Sequence, residues 1–433
     1  MIYFVLFGII CGTFAGLVPG VGVFVTLAIT YPFIIQFEMY EIILFYVALA
    51  STTQYIGSVP AILFGVPGES SSLPAVKEGA ILQKQGLGTY AISSSAIGSL
   101  VGSILVILFS LAMITVIHNT IQFSFNTYVQ SCVLIVVMII FLWQSSNRWW
   151  QTILLAIMGY QLGEVGYNPY SGQFNYYFGI DALKTGIPLY PVMISLFVFP
   201  ILIKKYDVSK PLQSKVKIQI NHFTNYWQNI MSSLRGTVIG FFAGLVPAVT
   251  TTLSSTLAHA VEKRFVDKPM AKLTAAETAN NSASFSMLLP LLLLGIPITG
   301  SEAFLYNIVV NNGHEIDWNT IVASGFFVKL AGWLCVINLL ALCLAWPLAS
   351  QIIKLYYLPL PVIMTVVGIA LFITNWYIGS QTAEAGFYTL LLLILLPIGY
   401  LLRKQDTLIL VLAFMLHETI PVSYTHLTLP TKA

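Results

Sequence analysis

The chain has 433 residues, 57% hydrophobic and only 8% charged, with 19 Lys and Arg against 16 Asp and Glu for a net charge of +3. Soluble domains carry about a quarter charged residues, so a hydrated globular surface is excluded, and the dispersed basic residues leave no footprint for nucleic acid. The composition is that of an all-α polytopic membrane protein.

The chain opens with MIYFVLFG inside an apolar run without a basic n-region, so no cleavable signal peptide is expected. FAGLVP follows at residues 14–19, with Gly8 and Gly12 ahead of it. The next loop, QFEMYE (36–41), has no Lys or Arg, and polar STTQ (51–54) interrupts the apolar stretch beyond it. FGVPGESSS (64–72) places Pro67 48 residues after Pro19, and Lys77 and Lys84 mark a basic loop over 77–86. Apolar runs at 99–117, 128–142 and 186–203 approach, with their flanks, the roughly 20 residues that span a bilayer. Arg148 and the acidic, aromatic GEVGYNPYSGQFNYYFGID (163–181) separate them, and a basic stretch fills 204–217.

FAGLVP then returns at 242–247, an offset of 228, with Gly236 and Gly240 ahead of it at that same offset. The loop EKRFVDKPMAK (262–272) and the polar patch ETANNSAS (277–284) lead to LGIPITGSEA (294–303), where Pro297 stands 50 residues after Pro247. NNGHEIDWN (311–319) has no Lys or Arg, and further apolar runs cover 330–348, 362–373 and 387–402, with basic Lys354, Arg403 and Lys404. Residues 422–431 back-translate as GTC TCT TAT ACA CAT CTG ACG CTG CCG ACG, which resembles a transposon-based sequencing adapter read in frame. The tail 422–433 is therefore expected to stand outside the fold.

Two landmarks in one order at nearly equal spacing predict two repeats. The first, with two helical hairpins after it, occupies 1–203; a basic cytoplasmic linker covers 204–228, and the second repeat covers 229–421. Lys and Arg collect in cytoplasmic loops. The loop between the landmarks is basic only in the second copy, and the loop after them only in the first. That reversal predicts inverted topology.

A helix broken at Gly-Pro inside a membrane bares N–H and C=O groups, and such breaks persist only in protein or along a wet cavity. Their half-helix ends favour anions at N-termini and cations at C-termini, and paired breaks in inverted halves point to a transporter's central site. The residues expected to bind substrate are Gly16, Pro19, Gly20 and Gly22; Ser51 and Thr52; Gly65, Pro67, Gly68, Ser70 and Ser71; and Gly295, Pro297, Gly300 and Ser301. Glu69, Glu277, Asn280, Asn281 and Glu302 are the candidates for cation coupling, because carboxylates in a membrane are expensive and usually functional. The competing reading of the two tip glutamates, Glu69 and Glu302, is a structural hydrogen bond or a helix N-terminus. Amide oxygens of Asn280 and Asn281 suit Na⁺, against a reading as interhelical hydrogen-bonding groups. Cys11, Cys132, Cys335 and Cys343 sit in apolar runs without disulfide or metal spacing. No role is assigned to His118, His222, His259, His314 or His417, or to His426 in the tail.

GTFAGLVPGVG (12–22), ILFGVPGESSSLPAVKEG (62–79) and AAETANNSASFSMLLPLLLLGIPITGSEA (275–303) resemble the large membrane subunit of tripartite tricarboxylate transporters, the TctA family. The likeness runs over nearly all of 8–421. It implies a secondary transporter of a bacterial or archaeal cytoplasmic membrane, working with a small four-helix membrane subunit and a periplasmic solute-binding protein. It implies uptake of a tricarboxylate or related carboxylate on a Na⁺ or H⁺ gradient, with no other cofactor. The family's Pro-Gly is Pro247-Ala248 and Pro297-Ile298 here, which stiffens the second copy at both breaks. The alternative is a channel or scaffold without gradient coupling. An intramembrane enzyme is disfavoured, since GESSS lacks the G-x-S-x-G elbow, the apolar runs hold no Asp, and no His lies near these serines in sequence.

Overall fold

The computed structural model describes residues 1–65, 67–120, 127–144, 147–168, 173–203, 226–247, 249–316, 318–345, 359–381 and 384–414. Most of the expected linker, Lys354, His222, His417 and the tail with His426 lie outside the described residues. The helices in order are α1 (Ile2–Leu17), α2 (Gly22–Ile34), α3 (Met39–Phe64), α4 (Leu73–Lys84), α5 (Gly88–Thr120), α6 (Thr127–Gln144) and α7 (Trp149–Gly163). After them, α8 (Leu189–Met193) continues through a π turn (Ile194–Val198) into α9 (Phe199–Leu202). The second half holds α10 (Ile230–Gly244), α11 (Thr251–Phe265), α12 (Pro269–Leu294), α13 (Gly300–Asn311), α14 (Phe326–Leu340), α15 (Leu360–Gln381) and α16 (Ala385–Leu402). Among the described residues, five helical stretches are long and apolar enough to cross a membrane: Met39–Phe64, Gly88–Val116, Phe326–Cys343, Pro361–Gln381 and Ala385–Leu402. The chain is a multi-pass, predominantly helical membrane protein.

Two details differ from the sequence reading. The stretch 163–181 holds a small antiparallel hairpin, β1 (Gly166–Asn168) with β2 (Gln173–Asn175). The loop expected over 77–86 is for the most part helix α4, which starts with a proline in its first turn, where a missing N–H costs nothing. Its buried residues Pro74, Ala75, Glu78, Gly79 and Leu82 recur at helical spacing. Two lysines give this segment the look of a loop, and its apolar face is too short to register as a span.

The elements of the first half recur in the second. The helices α3 and α12 each run 26 residues, starting 230 positions apart (39 and 269), and α4 and α13 each run 12. Both 26-residue helices carry a proline near their C-terminal end, Pro60 and Pro290, and both stop at a left-handed glycine, Gly65 (φ 69°) and Gly295 (φ 68°). Only a residue without a Cβ adopts that conformation at no steric cost.

Within each unit a glycine stripe fixes the packing. A Cβ on Gly8 would stand 2.7 Å from the Phe45 carbonyl oxygen, one on Gly12 2.5 Å from that of Leu49, and one on Gly16 2.7 Å from that of Thr53. In the second unit Gly236, Gly240 and Gly244 meet the carbonyls of Ala275, Ala279 and Ala283 in the same way. Small residues one turn apart let helix backbones approach closely, which is how helices associate where lipid is as apolar as leucine. Between units, α4 packs on α11 and α12, while α13 packs on α2 and α3.

Gly12→Val drives a branched side chain into the Leu49 carbonyl and the Thr52 side chain. It should destabilise the detergent-solubilised protein by ~1–3 kcal/mol. Gly332→Val, where a Cβ meets nothing within 4 Å, should stay within about 0.5 kcal/mol. Equal melting temperatures for the two variants would show that the stripe does not set the packing.

Candidate transport site at the contact between the two helical units

Past Gly65 the chain turns back along the helix it has left. The Gly68 N–H donates to the Gly57 carbonyl at 3.2 Å, and its Cα lies so close to the Gly16 carbonyl that no side chain fits there. The Ser71 hydroxyl donates to Gln54 Oε1 at 3.2 Å, and Gln54 also reaches Glu69. The tip continues across to the other unit, where Ser255 of α11 donates to the Ser71 carbonyl at 2.7 Å. Glu69 is near enough to Glu277 of α12 for their charges to interact. This brings together Gly16, Gly68, Glu69, Ser71 and Glu277. Pro19 is buried and Gly20 half-buried in the turn from α1 to α2, but a Cβ on Gly22 would meet nothing within 4 Å. Gly65 is exposed and Pro67 half-buried; the side chain of Ser70 lies outside the described residues.

The second tip sits elsewhere on the same contact. Pro297 is buried, and Gly295, Gly300 and Ser301 are half-buried. Tyr46 of α3 lies against Ser301 and Glu302. Phe304, two residues on, packs against Phe24, Tyr31 and Tyr190 with ring centroids 5.5, 5.8 and 5.6 Å apart. Glu302 is engaged as a helix cap. Its Oε2 accepts from the N–H groups of Ile298 (3.0 Å) and Thr299 (3.1 Å), while the Thr299 hydroxyl accepts from the Glu302 N–H at 3.3 Å. That reciprocal capping box is the structural alternative to an ion-coupling role.

Glu277, Asn280, Asn281 and Ser284 share one face of α12, opposite the carbonyls that receive the glycine stripe. Both carboxylate oxygens of Glu277 and both amide atoms of Asn280 are buried without a hydrogen-bond partner among the described residues, as are Thr52 Oγ1, Glu69 Oε2 and Ser72 Oγ. Asn281 is pinned: its Nδ2 donates to Ser99 Oγ at 2.7 Å and to the Glu277 carbonyl at 3.2 Å. Tyr46, Ser51, Ser103, Asn281, Ser284 and Leu288 are among the residues around a cavity of about 10 Å³, room for about one water. Unsatisfied buried polar groups cost ~1–3 kcal/mol each, so these atoms are expensive to keep. Among the described residues, no three His, Cys, Asp or Glu side chains are grouped to hold a metal ion.

The sequence reading misses the contribution of α5. This helix starts at Gly88 and not at the apolar run near residue 99. Its Ser94 pairs with Thr274 at 2.9 Å, its Ser95 donates to Ser58 at 2.8 Å and lies beside Glu277, and its Ser99 receives Asn281. Gly98 and Gly102 let it approach Thr278. The signal is present in ISSSAIGSLVGS (92–103), where serine and glycine recur every fourth residue of an apolar helix. His259 and Glu78 also escape that reading, and they pair at 2.8 Å.

If Glu302 acts as a cap, Glu302→Gln retains an acceptor for the Ile298 and Thr299 amides and should leave thermal stability nearly unchanged. Glu302→Ala should cost about 1 kcal/mol. A glutamine variant as unstable as the alanine one would show that the charge is required.

The tripartite tricarboxylate transporter TctA family model matches residues 2–412. A protein of Agrobacterium vitis, described as an uncharacterized 52.8 kDa protein in the TAR-I ttuC' 3' region, is 25% identical over 370 residues, covering 81% of this chain and 72% of that protein. An uncharacterized protein of Methanocaldococcus jannaschii is 26% identical over 211 residues, 46% of this chain and 52% of its own length. No solved structure matches. With a match spanning nearly its whole length, the chain belongs to the tripartite tricarboxylate transporter TctA family.

Proposed function

We propose that this protein is the large transmembrane subunit of a binding-protein-dependent importer, moving a tricarboxylate or related carboxylate across a bacterial or archaeal cytoplasmic membrane by Na⁺ or H⁺ symport. A small membrane subunit and a periplasmic solute-binding protein complete the system. The observation that carries the reading is the set of buried polar atoms on Glu69, Glu277 and Asn280, without hydrogen-bond partners among the described residues, where the two helical units meet. In hydrocarbon such groups are tolerated where they line a path or bind a ligand.

Inverted topology is supported by how equivalent helices meet. Ser51 and Asn281 lie twelve residues into α3 (from Met39) and α12 (from Pro269), and both line one small cavity. Tyr46, early in α3, faces that cavity with Leu288, late in α12, whereas Glu69, beyond the end of α3, neighbours Glu277, early in α12. Equivalent helices thus run in opposite directions about an axis near Ser51 and Asn281. Single cysteines at Gln36 and Asn312 should react with an impermeant thiol reagent from outside, and those at Gln83 and Asp267 should not. Labelling of Gln36 and Asp267 from the same side would make the repeats parallel.

For the coupling ion, Asn280 is the stronger of the two amides. Its oxygen is buried and uncommitted beside the Glu277 carboxylate on the same helix face, and hard cations prefer such oxygen ligands. Asn281 is held by Ser99 and acts in positioning. In proteoliposomes with all three components, a Na⁺ gradient should drive citrate above its equilibrium concentration. Asn280→Ala should raise the Na⁺ concentration for half-maximal uptake several-fold with insertion unchanged. Accumulation that never exceeds equilibrium would favour a channel, and unaltered Na⁺ dependence in the variant would remove Asn280 from the ion site.

A further inference from the structure

The buried carboxylate of Glu78 has no part in the site above. It projects from α4 of the first unit and is fully enclosed, yet its partners both come from the second unit: His259 Nε2 of α11 at 2.8 Å and Lys272 Nζ of α12 at 3.2 Å from Oε1. Lys272 also binds Asp267, in the turn between α11 and α12, at 2.8 Å. Lys263 lies close enough to act on Asp267, whose carboxyl is held below its usual range by the hydrogen bond and charge of Lys272, then by Lys263 and His259. One turn deeper on α11, Ser255 makes its bond to the Ser71 carbonyl and is fully buried. The ion network therefore roofs over the contact between the first tip and α11.

The equivalent contact of the other unit is built differently. There α13 packs on α2 and α3, but α13 has no charged residue beyond Glu302 and α2 has none, and the contact is aromatic, with Phe304 on Phe24 and Tyr31. Beside that end opens a cavity of about 700 Å³, with Tyr31, Tyr190, Asn307 and Asn311 among its lining residues. One end of the duplicated core is open and held by rings, and the other is shut and held by charges.

We propose that Glu78, His259 and Lys272 form the cytoplasmic gate of the protein, an ion-pair latch that must part before the inter-unit site opens to the side of the basic loops. The assignment rests on the antiparallel reading of the two units given above. A buried ion pair is suited to such a latch. Intact, it has Glu78 Oε1 held by His259 and Lys272 in a low-dielectric setting, and removal of one charge leaves the other uncompensated. The closed state then loses stability relative to an open state in which Lys272 and His259 are hydrated, and the population shifts accordingly.

The test uses the full-length protein in membrane vesicles, with Cys11, Cys132, Cys335 and Cys343 replaced by serine and a reporter introduced as Ser255→Cys. An impermeant maleimide is applied to right-side-out and to inside-out vesicles. Glu78→Gln, which keeps shape and removes charge, should raise the labelling rate from the cytoplasmic face roughly tenfold and leave the periplasmic rate unchanged. His259→Gln, a milder change at a half-buried position, should give a smaller rise on the same face. No rise in either variant, an equal rise from both faces, or a rise only from the periplasmic face would each overturn the gate. Transport is not measured, so failure of the carboxylate reading would leave this result standing.

Discussion

The spacing between α1 and α3, and between α10 and α12, is the constraint on which the rest of the structure depends. Glycines at successive turns lie against a ridge of carbonyl oxygens, and any side chain at those positions would collide with the backbone opposite. In a bilayer there is no hydrophobic gain from pressing one apolar helix on another, so close backbone contact through small residues supplies the association. Each 26-residue helix is thereby sheathed on one face by its own unit. Its opposite face is left to meet the other unit, and polar residues lie there: Ser51 and Gln54 on α3, and Glu277, Asn280 and Asn281 on α12.

This arrangement explains how a chain with so few charges carries several of them inside. Glu277 and Glu302 are both buried, but their surroundings differ. Glu302 spends its carboxylate on two backbone amides at a helix start, as any soluble protein would use it. Glu277 has Ser95 beside it, and among the described residues neither of its carboxylate oxygens has a hydrogen-bond partner. A carboxylate left so poorly served in the middle of a membrane protein is costly to keep.

The repeated half of this fold is legible in the sequence because glycine and proline act locally. FAGLVP, the glycines ahead of it and the two later Gly-x-Pro tips each mark a backbone feature, whether a close approach, a left-handed cap or a helix end. What the sequence hides depends on distant partners. Glu78 and His259 lie 181 positions apart, and nothing in PAVKEG or LAHAVE announces the other. The serine stripe of α5 is visible, but its meaning comes from α12, which supplies Thr274, Thr278 and Asn281 to it. The roles of Glu69 and Glu302 cannot be separated from local sequence either, since each follows a Gly-x-Pro. Glu69 bonds Gln54 and lies near Glu277 of the other unit, whereas Glu302 folds back on the start of its own helix.

Duplication alone would produce two equivalent tips and two equivalent ends. The halves differ at most positions, and some of the differences lie at these points. Pro67 is followed by glycine and Pro297 by isoleucine, so the first tip can fold back on Gly57 and Gly16 while the second is braced by a capping box. Lys272 in α12 corresponds at the 230-residue offset to Ile42 in α3, so the ion pair at one end of the core has no counterpart at that position of the other. Charged latches and aromatic contacts respond differently to water. Hydration offsets the loss of an ion pair but not of an aromatic contact. The two ends of the core therefore part at different cost.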